Sequence, residues 1–595
     1  MKYRIFAILP IAFFSSHLFA YIQIPDVAIH SRLPTSQKNK RLTTSLPIQV
    51  ITQKQADILH ANTVSELLQQ STSLVMQETD GSQAHATISM RGFGDNAAEN
   101  TLILINGQPL TNPDISAPDL NLLPISTISR IEILQNSQSI LYGDQAVGGV
   151  INIITKSPTD PVKKVNLSGG SFATRQAQGE LGDAFKNGLG YDLNLGHFAS
   201  NHYRAHNFEQ KNHAMLDLNY HNDSTQSYLD FENINQHLQL PGALTRTQLN
   251  QDREQAKNHN DESNFNNALS MFGFNQLIAK NWQFKTEGSA MTGKGDGVMT
   301  LSHVPYSFDN RRQSFFVRPE LSGSLRFSQF KLEPTFGTEF KNSQYRYKST
   351  VYGSKDTQNQ IAAFSEFKIP YQKAELNAGI RAAKAIDKIE SNNIRTSNDD
   401  HVIISSIGFT YHFTKTWQAY VRRAGNYRFP KVDENSNTQN NQPLKPQTGI
   451  SYETGLLWQT KKISTLVALY QLDLRNEILY VPLINSASGF GFNQNLSHTR
   501  RRGISLNTSY KIMKDWQLNL GYQYVHPKFM TGSYEGNDIP NVPKQTLTLG
   551  TTIRFLRQWD FFINGDYIGK RYANNDVKNI QLLGGYTTLN TGLGC

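Results

Sequence analysis

From about Lys163 onward, apolar and polar residues alternate one by one in segment after segment. Leu189, Tyr191, Leu193 and Leu195 share one side of a run whose other side is Gly190, Asp192, Asn194 and Gly196. In the same way Trp516, Leu518, Leu520, Tyr522 and Tyr524 oppose Gln517, Asn519, Gly521 and Gln523. Successive side chains of a strand point to opposite faces, so this period predicts strands with one apolar and one wet face. A soluble sandwich gives the same alternation within a single strand, and the connections separate the two cases. Short turns near Asn187, His221, Lys280, Ser328, Tyr371, Thr414, Lys461, Lys514 and Arg557 alternate with long connections. The long ones are expected at 201–211, 237–264, 295–311, 349–356, 387–400, 428–445, 476–495, 529–539 and 570–584. Short turns on one side and long loops on the other are how a transmembrane barrel threads.

Residues 46–157 are patterned differently. IQVIT reads as a strand, the stretch from Thr63 to Gln70 as a helix with a Thr cap and Glu66 three residues on, and TLILINGQPL as a strand entering a turn. This predicts a compact α+β domain of about 110 residues, an ordinary domain size. Ahead of it, residues 21–45 are polar and basic, the composition of a flexible linker. An apolar island, Asp26-Val27-Ala28-Ile29-His30-Ser31, interrupts them. Lys2 and Arg4 followed by IFAILPIAFF predict a secretory signal over residues 1–20, cut near Ala20.

Beyond that leader no apolar run reaches the roughly 18 residues of a spanning helix, which excludes a helical membrane protein. A mean hydropathy of −0.48 does not exclude a barrel, in which only alternate residues need be apolar. The formal charge of +10 is scattered, which suits anionic headgroups or ligands and not a nucleic-acid footprint. A single cysteine, Cys595, rules out an intramolecular disulfide. Aromatics near predicted strand ends, among them Tyr420, Tyr427, Phe429, Tyr470, Phe561 and Phe562, are expected to form interfacial girdles. No GxSxG, HExxH or phosphate loop occurs, so an enzyme is not expected.

Specific motifs narrow the reading. Met90-Arg91-Gly92-Phe93, then Leu102 to Gly107, then LYGDQAVGGVINIITK ending at Lys156 follow one another in the first domain. NYRFPKVDE from Asn426, LKPQTGISYETGL from Leu444, RRGISL from Arg501 and NVPKQTLTLG from Asn541 follow in the second. In these residues, and in their order, the chain resembles the TonB-dependent outer-membrane receptors.

That resemblance implies a mainly β protein: a transmembrane antiparallel β-barrel over residues 162–595 with the α+β domain, 46–157, as a plug in its lumen. It further implies TonB-dependent import of a scarce metal chelate, siderophore or cobalamin, across the bacterial outer membrane, with no resident cofactor. The partners implied are the TonB energy transducer, outer-membrane lipid and the chelate. The island from Asp26 to Ser31 stands where the family has its TonB box. Gln135-Asn136 and Ser505 replace residues that in some relatives complete a buried cluster of arginines and glutamates, leaving Arg91 and Glu453 as a single plug-to-wall pair. About twenty strands are countable against the family's twenty-two, and the last, from Tyr586, stops in mid-alternation. The resemblance therefore implies that the last two strands are missing, which makes a non-functional remnant one alternative; a passive porin or adhesin barrel is another, which would need no plug.

Two plug loops, QETDGSQ from Gln77 and NPDISAPDL from Asn112, are expected to meet ligand first, through Asp80, Gln83, Asn112 and Asp114. His197, His202, His206 and His213 crowd the first long loop, with His202 and His206 as weak metal candidates. Their spacing fits no fixed metal geometry, and solvated loop histidines are the favoured account.

Overall fold

The computed structural model of the chain describes residues 48–78, 85–157, 161–301, 304–328, 330–350, 352–391, 394–436, 438, 442–481, 491–556 and 559–594. The expected leader, the island from Asp26 to Ser31, Asp80, Gln83 and Cys595 lie outside the described residues.

The first domain begins with β1 (Gln49–Thr52) and α1 (Gln53–Ile58), where Thr52 and Gln55 cap each other reciprocally. α2 (Val64–Ser71) starts at Thr63, whose hydroxyl accepts from the Glu66 amide at 3.1 Å, satisfying a first-turn donor that has no partner within the helix. A hairpin of β2 (Val75–Glu78) and β3 (Ala86–Ser89) precedes β4 (Thr101–Ile105), β5 (Gln108–Pro109), β6 (Ile128–Leu134), α3 (Ser139–Tyr142) and β7 (Gly149–Thr155). The central sheet has the order β1-β6-β7-β4-β5, with β4 and β7 parallel. Every residue of β4 and β7 is buried, as expected of strands covered on both faces.

The wall follows as β8 (Val162–Gly170), β9 (Thr174–Ala184), β10 (Leu189–Ser200), β11 (Glu209–His221), β12 (Thr225–Gln239), β13 (Glu262–Ala279), β14 (Trp282–Leu301) and β15 (Val304–Gly323). It continues through β16 (Leu325–Arg326), β17 (Lys331–Ser349), β18 (Gly353–Tyr371), β19 (Ala374–Ser391), β20 (Ile394–His412), β21 (Trp417–Arg428), β22 (Gln447–Gln459) and β23 (Ile463–Val481). It ends with β24 (Phe492–Met513), β25 (Trp516–Phe529), β26 (Gln545–Phe555), β27 (Trp559–Ile568), a small β28 (Arg571–Tyr572) and β29 (Leu582–Leu583) hairpin, and β30 (Tyr586–Gly594). All but that hairpin form one antiparallel ring in chain order, with β30 beside β8. β16 continues β15 along the same neighbour, β17, which leaves twenty passes among the described residues. Among the described residues β8 is registered residue by residue only with β9, and β30 only with β27. Their junction is the most thinly contacted of the ring, and Val165, Leu167 and Leu589 there are 74%, 77% and 69% exposed.

Outward faces are apolar at mid-height, as with Leu189, Leu195, Ile361, Ile380 and Ile403. Such a continuous apolar surface suits lipid, not water. No helix of the described residues is long and apolar enough to cross a membrane. The chain crosses with strands.

Two expectations are corrected. Residues 295–301, 349, 353–356, 387–391 and 394–400 are not loop but the outer ends of strands 18 to 20 residues long, so these outer connections are tight. Their sequence is largely polar, with few apolar residues such as Val298 and Ile389, which breaks the alternation while leaving the ladder of main-chain hydrogen bonds intact. Tyr420, Tyr427, Phe429, Tyr470 and Phe562 are not a girdle either: all are buried on the inner face. Tyr427 and Phe429 pack with Ile140 of α3, and Phe562 joins the core formed by α1, α2 and the plug sheet. Aromatics that do face outward gather near the short turns, including Phe327, Tyr371, Phe413, Trp417 and Trp559, with Trp417 and Trp458 stacked at 5.4 Å.

Candidate functional site: the plug cradle and the vestibule above it

The first domain sits inside the ring, because inward side chains from strands all round the wall touch it. Thr546 and Thr548 of β26 donate to the Ser73 and Thr72 carbonyls, each at 3.0 Å. Across the lumen, Gln108 donates to the Tyr228 hydroxyl of β12 at 2.7 Å. Asn106, with φ +52° at the turn before Gly107, donates to Asp230 of the same strand at 3.3 Å.

Arginines on the wall do most of the gripping. Arg501 is fully buried: two of its nitrogens hold Glu477 at 2.9 and 2.6 Å, while Nε donates to the Gly92 carbonyl at 2.9 Å. Its guanidinium also lies 4.4 Å from the Phe93 ring centroid. Arg318 pairs with Glu287 at 3.1 Å and donates to the Gly107 carbonyl at 3.2 Å. Arg381 pairs with Glu339 at 2.8 Å and reaches the Ile140 carbonyl at 3.4 Å. In each case a wall carboxylate compensates the buried charge and a spare N–H of the planar fork meets plug backbone. A Cβ at Gly143, where φ is +74°, would overlap the Arg381 guanidinium. Glycine is thus required there twice, for conformation and for clearance.

Arg91, on the plug with φ +61°, reaches the other way: its Nη2 lies 2.6 Å from Glu453 Oε2 on β22. It also donates to the Gln135 carbonyl and sits 3.9 Å from the Tyr470 ring centroid, while the Tyr420 hydroxyl donates to Glu453. Arg422, beside this pair, donates to the Ser137 carbonyl at 2.7 Å.

Above the plug the ring opens into a vestibule. Asp114 is buried, gripped by Arg312 at 2.8 and 2.7 Å and by the Ser116 hydroxyl at 2.7 Å, so its carboxylate is already engaged. The Asn112 amide bonds the Ser116 and Ala117 carbonyls of its own loop. Ile115, in the same loop, is 50% exposed. The wall connection after β21 folds down onto this apex: Lys431 donates to the Asn112 carbonyl at 2.6 Å and the Asp433 carboxylate accepts from the Ile115 amide at 3.1 Å. Burial, with Lys341 second, lowers the Lys431 ammonium to about 8. Burial, with Asp114 second, raises the Asp433 carboxyl well above the carboxylate range. Beside the apex, Phe308, Tyr345, Tyr347 and Tyr352 form a chain of rings with centroids 6.1 to 6.4 Å apart.

His202 and His206 do not face a common point: His202 contacts Glu209 at 2.9 Å, and His206 the Asp261 carbonyl at 2.9 Å. Among the described residues no group of three or more His, Cys, Asp or Glu could hold a metal. Sequence reasoning missed the wall arginines and the aromatic chain. Inward positions of period-two strands were the available signal, but which of them face plug and which face open lumen is a matter of tertiary placement.

Residues 158–594 match the family described as TonB dependent receptor-like, beta-barrel, and residues 40–150 match the TonB-dependent Receptor Plug Domain. The chain is 33% identical over 146 residues to the vitamin B12 transporter BtuB of Photobacterium profundum, a match that covers 24% of this chain and 23% of that transporter. Among solved structures, the unliganded ferric citrate transporter FecA superposes with a TM-score of 0.81 at 17% identity, over 95% of this chain and 91% of that one. The siderophore receptor PiuA of Acinetobacter baumannii gives 0.79 at 15% identity, over 96% and 93%. The chain belongs to the TonB-dependent receptors, a family of outer-membrane plug-and-barrel receptors.

Proposed function

We propose that this protein actively imports a metal chelate, a siderophore complex or cobalamin, across the outer membrane. The observation that carries the reading is a folded domain seated inside a ring of strands through buried polar contacts. A passive pore has no use for such an obstruction. Chelate settles in the vestibule on Ile115 and the Phe308 to Tyr352 rings, where apolar and aromatic surface binds a bulky ligand without demanding one shape. For Asp114 to take part it must leave Arg312, so ligand contact there loosens the apex from the wall. His202 and His206 then serve the loop, not the cargo.

On the inner side, residues 1–20 are removed as a signal, and the island from Asp26 to Ser31 adds a strand to a sheet of the TonB protein, an interaction made through main-chain hydrogen bonds. Tension on that strand shifts the plug. The test is uptake of radiolabelled ferric siderophores and cyanocobalamin by cells whose own receptors are deleted and which express this chain, with and without the TonB protein. Accumulation of one of these ligands that requires TonB supports the reading. Accumulation of equal size without TonB replaces it with a passive channel.

A further inference from the structure

The wall connection that follows β21, residues 429–436, is strapped between wall and plug. Two of its amides hold the plug: Phe429 N donates to Asp144 Oδ1 at 3.0 Å and Val432 N to the Pro113 carbonyl at 3.3 Å, beside the Lys431 and Asp433 contacts with Asn112 and Ile115. Its hold on the wall runs through two acids at the outer ends of neighbouring strands. Ser436 Oγ donates to Asp356 Oδ2 of β18 at 2.8 Å. Gln358 Nε2 lies 2.8 Å from both the Pro430 carbonyl and Asp387 Oδ1 of β19, so one amide ties the strap to that carboxyl. Asp387 stands opposite Gln358, two residues from Asp356, which puts the two carboxyls on one face with their Cβ atoms roughly 7 Å apart.

Neither carboxyl is compensated. Asp356 and Asp387 are 1% and 2% exposed, and Asp356 Oδ1 and Asp387 Oδ2 are buried without a hydrogen-bond partner. The cations of the strap and of the elements beneath it are engaged elsewhere: Lys431 on the Asn112 carbonyl, Arg428 on Glu434 at 2.6 Å, Arg312 on Asp114, Arg381 on Glu339, and Lys341 beside the Thr111 hydroxyl at 3.5 Å. What faces Asp387 is acid: Asp356, Asp400 of β20 and Asp144 of the plug, with Glu99 of the plug and Asp433 of the strap in the same network. Burial raises Asp387 to about 7, opposed by Gln358 and reinforced by these acids, and raises Asp356 to about 6, opposed by the Ser436 hydroxyl. A carboxyl that regains water when the strap lifts returns to the ordinary range near pH 4. The seated strap therefore binds the extra protons, and its stability is complete below about pH 4 and lost as pH rises through 6 to 7.

We propose that residues 429–436 are a proton-operated latch: with Asp356 and Asp387 protonated the strap holds the plug apex against the wall, and their ionisation lifts it and opens the vestibule. The consequence for cargo, easier entry at neutral than at acid pH, rests on the import proposed above. The latch itself does not, and its test needs no cargo.

The experiment is hydrogen exchange of the full chain in neutral detergent at about pH 5 and about pH 7.5. It is read by mass spectrometry on peptides spanning 429–436 and expressed as protection over the intrinsic rate at each pH. Wild type is expected to lose at least tenfold of its protection there at the higher pH, while β14 keeps its own. The variant D356N/D387N retains both acceptors and cannot ionise. Its loss is expected to be at least fivefold smaller than that of wild type, the remainder belonging to Asp433 and Glu99. The heat-dependent gel shift of an intact barrel checks that the variant folds, and D387N alone takes its place if the pair does not. Equal protection of the wild-type strap at the two pH values overturns the proposal. So does a loss of the same size in wild type and variant, which assigns the pH dependence to other groups.

Discussion

Arg91 and Glu453 show what a single residue pair does in this molecule. Both side chains are buried, 6% and 4% exposed, and 362 residues separate them in sequence, so their 2.6 Å contact measures how the plug is seated. Removing one partner of such a pair leaves a charge without compensation, which costs about 3 to 5 kcal/mol. Glu453→Lys adds a like charge and is expected to reach the upper end of that range, with Tyr420 also losing its acceptor. Urea denaturation of the purified protein, followed by hydrogen exchange of plug and wall peptides read by mass spectrometry, should show the plug releasing before the wall in this variant. Glu453→Gln, which keeps an acceptor, should fall between. A melting profile unchanged by Glu453→Lys would mean that the pair contributes nothing to seating.

The elements differ in how readable they were. α2 was legible because Thr63 and Glu66 announce its start, and β10 and β25 were legible because a lipid-facing side and a plug- or water-facing side impose strict alternation. The outer part of β18 was not: Gly-Ser-Lys-Asp-Thr-Gln-Asn-Gln is polar on both faces, and only pairing with β17 and β19 makes it a strand. Tyr427 and Phe429 misled for a related reason, since an inner face covered by a folded domain is as apolar as one facing lipid. Of the site, the Arg91 and Glu453 pair stood out by motif, whereas Arg318, Arg381 and Arg501 gave no local sign of their plug partners.

The strands also differ in how well they are held. β14 is paired along its length on both sides, whereas β8 and β30 each have one registered neighbour among the described residues. In detergent, amide hydrogens on the unregistered sides of β8 and β30 are therefore expected to exchange at least a hundredfold faster than those of β14, read by mass spectrometry of peptic fragments. Uniform protection round the ring would contradict a weakly held junction.

For the whole molecule the question is how a seated plug moves. Beside apolar contacts such as Ile140 with Tyr427 and Phe93 with Leu472, it is fastened by hydrogen bonds to carbonyls, from Arg318, Arg381, Arg501, Thr546 and Thr548, and by ion pairs at Arg91 and Asp114. Water that enters the lumen can replace such bonds one at a time, each at a net cost of about 1 kcal/mol. A wholly apolar joint offers no such stepwise route. In the import we propose, a pull from inside the cell supplies the displacement, applied at the island from Asp26 to Ser31. Val27→Pro removes a main-chain donor from the strand proposed to form there on binding. It should abolish accumulation of chelate by cells while leaving surface binding at 4 °C intact, and unaltered accumulation would remove the island from the mechanism.

The most direct measurement joins plug to wall covalently. A Cβ at Gly521 of β25 lies 3.0 Å from the Ser73 Cβ of the plug, near enough for a disulfide after a small shift. In a Cys595→Ser background, Ser73→Cys with Gly521→Cys should cross-link on mild oxidation, keep ligand binding and lose uptake, with uptake restored by a reductant. Failure of the two cysteines to join, or full uptake while they are joined, would contradict a plug that sits within the ring and must move for cargo to pass.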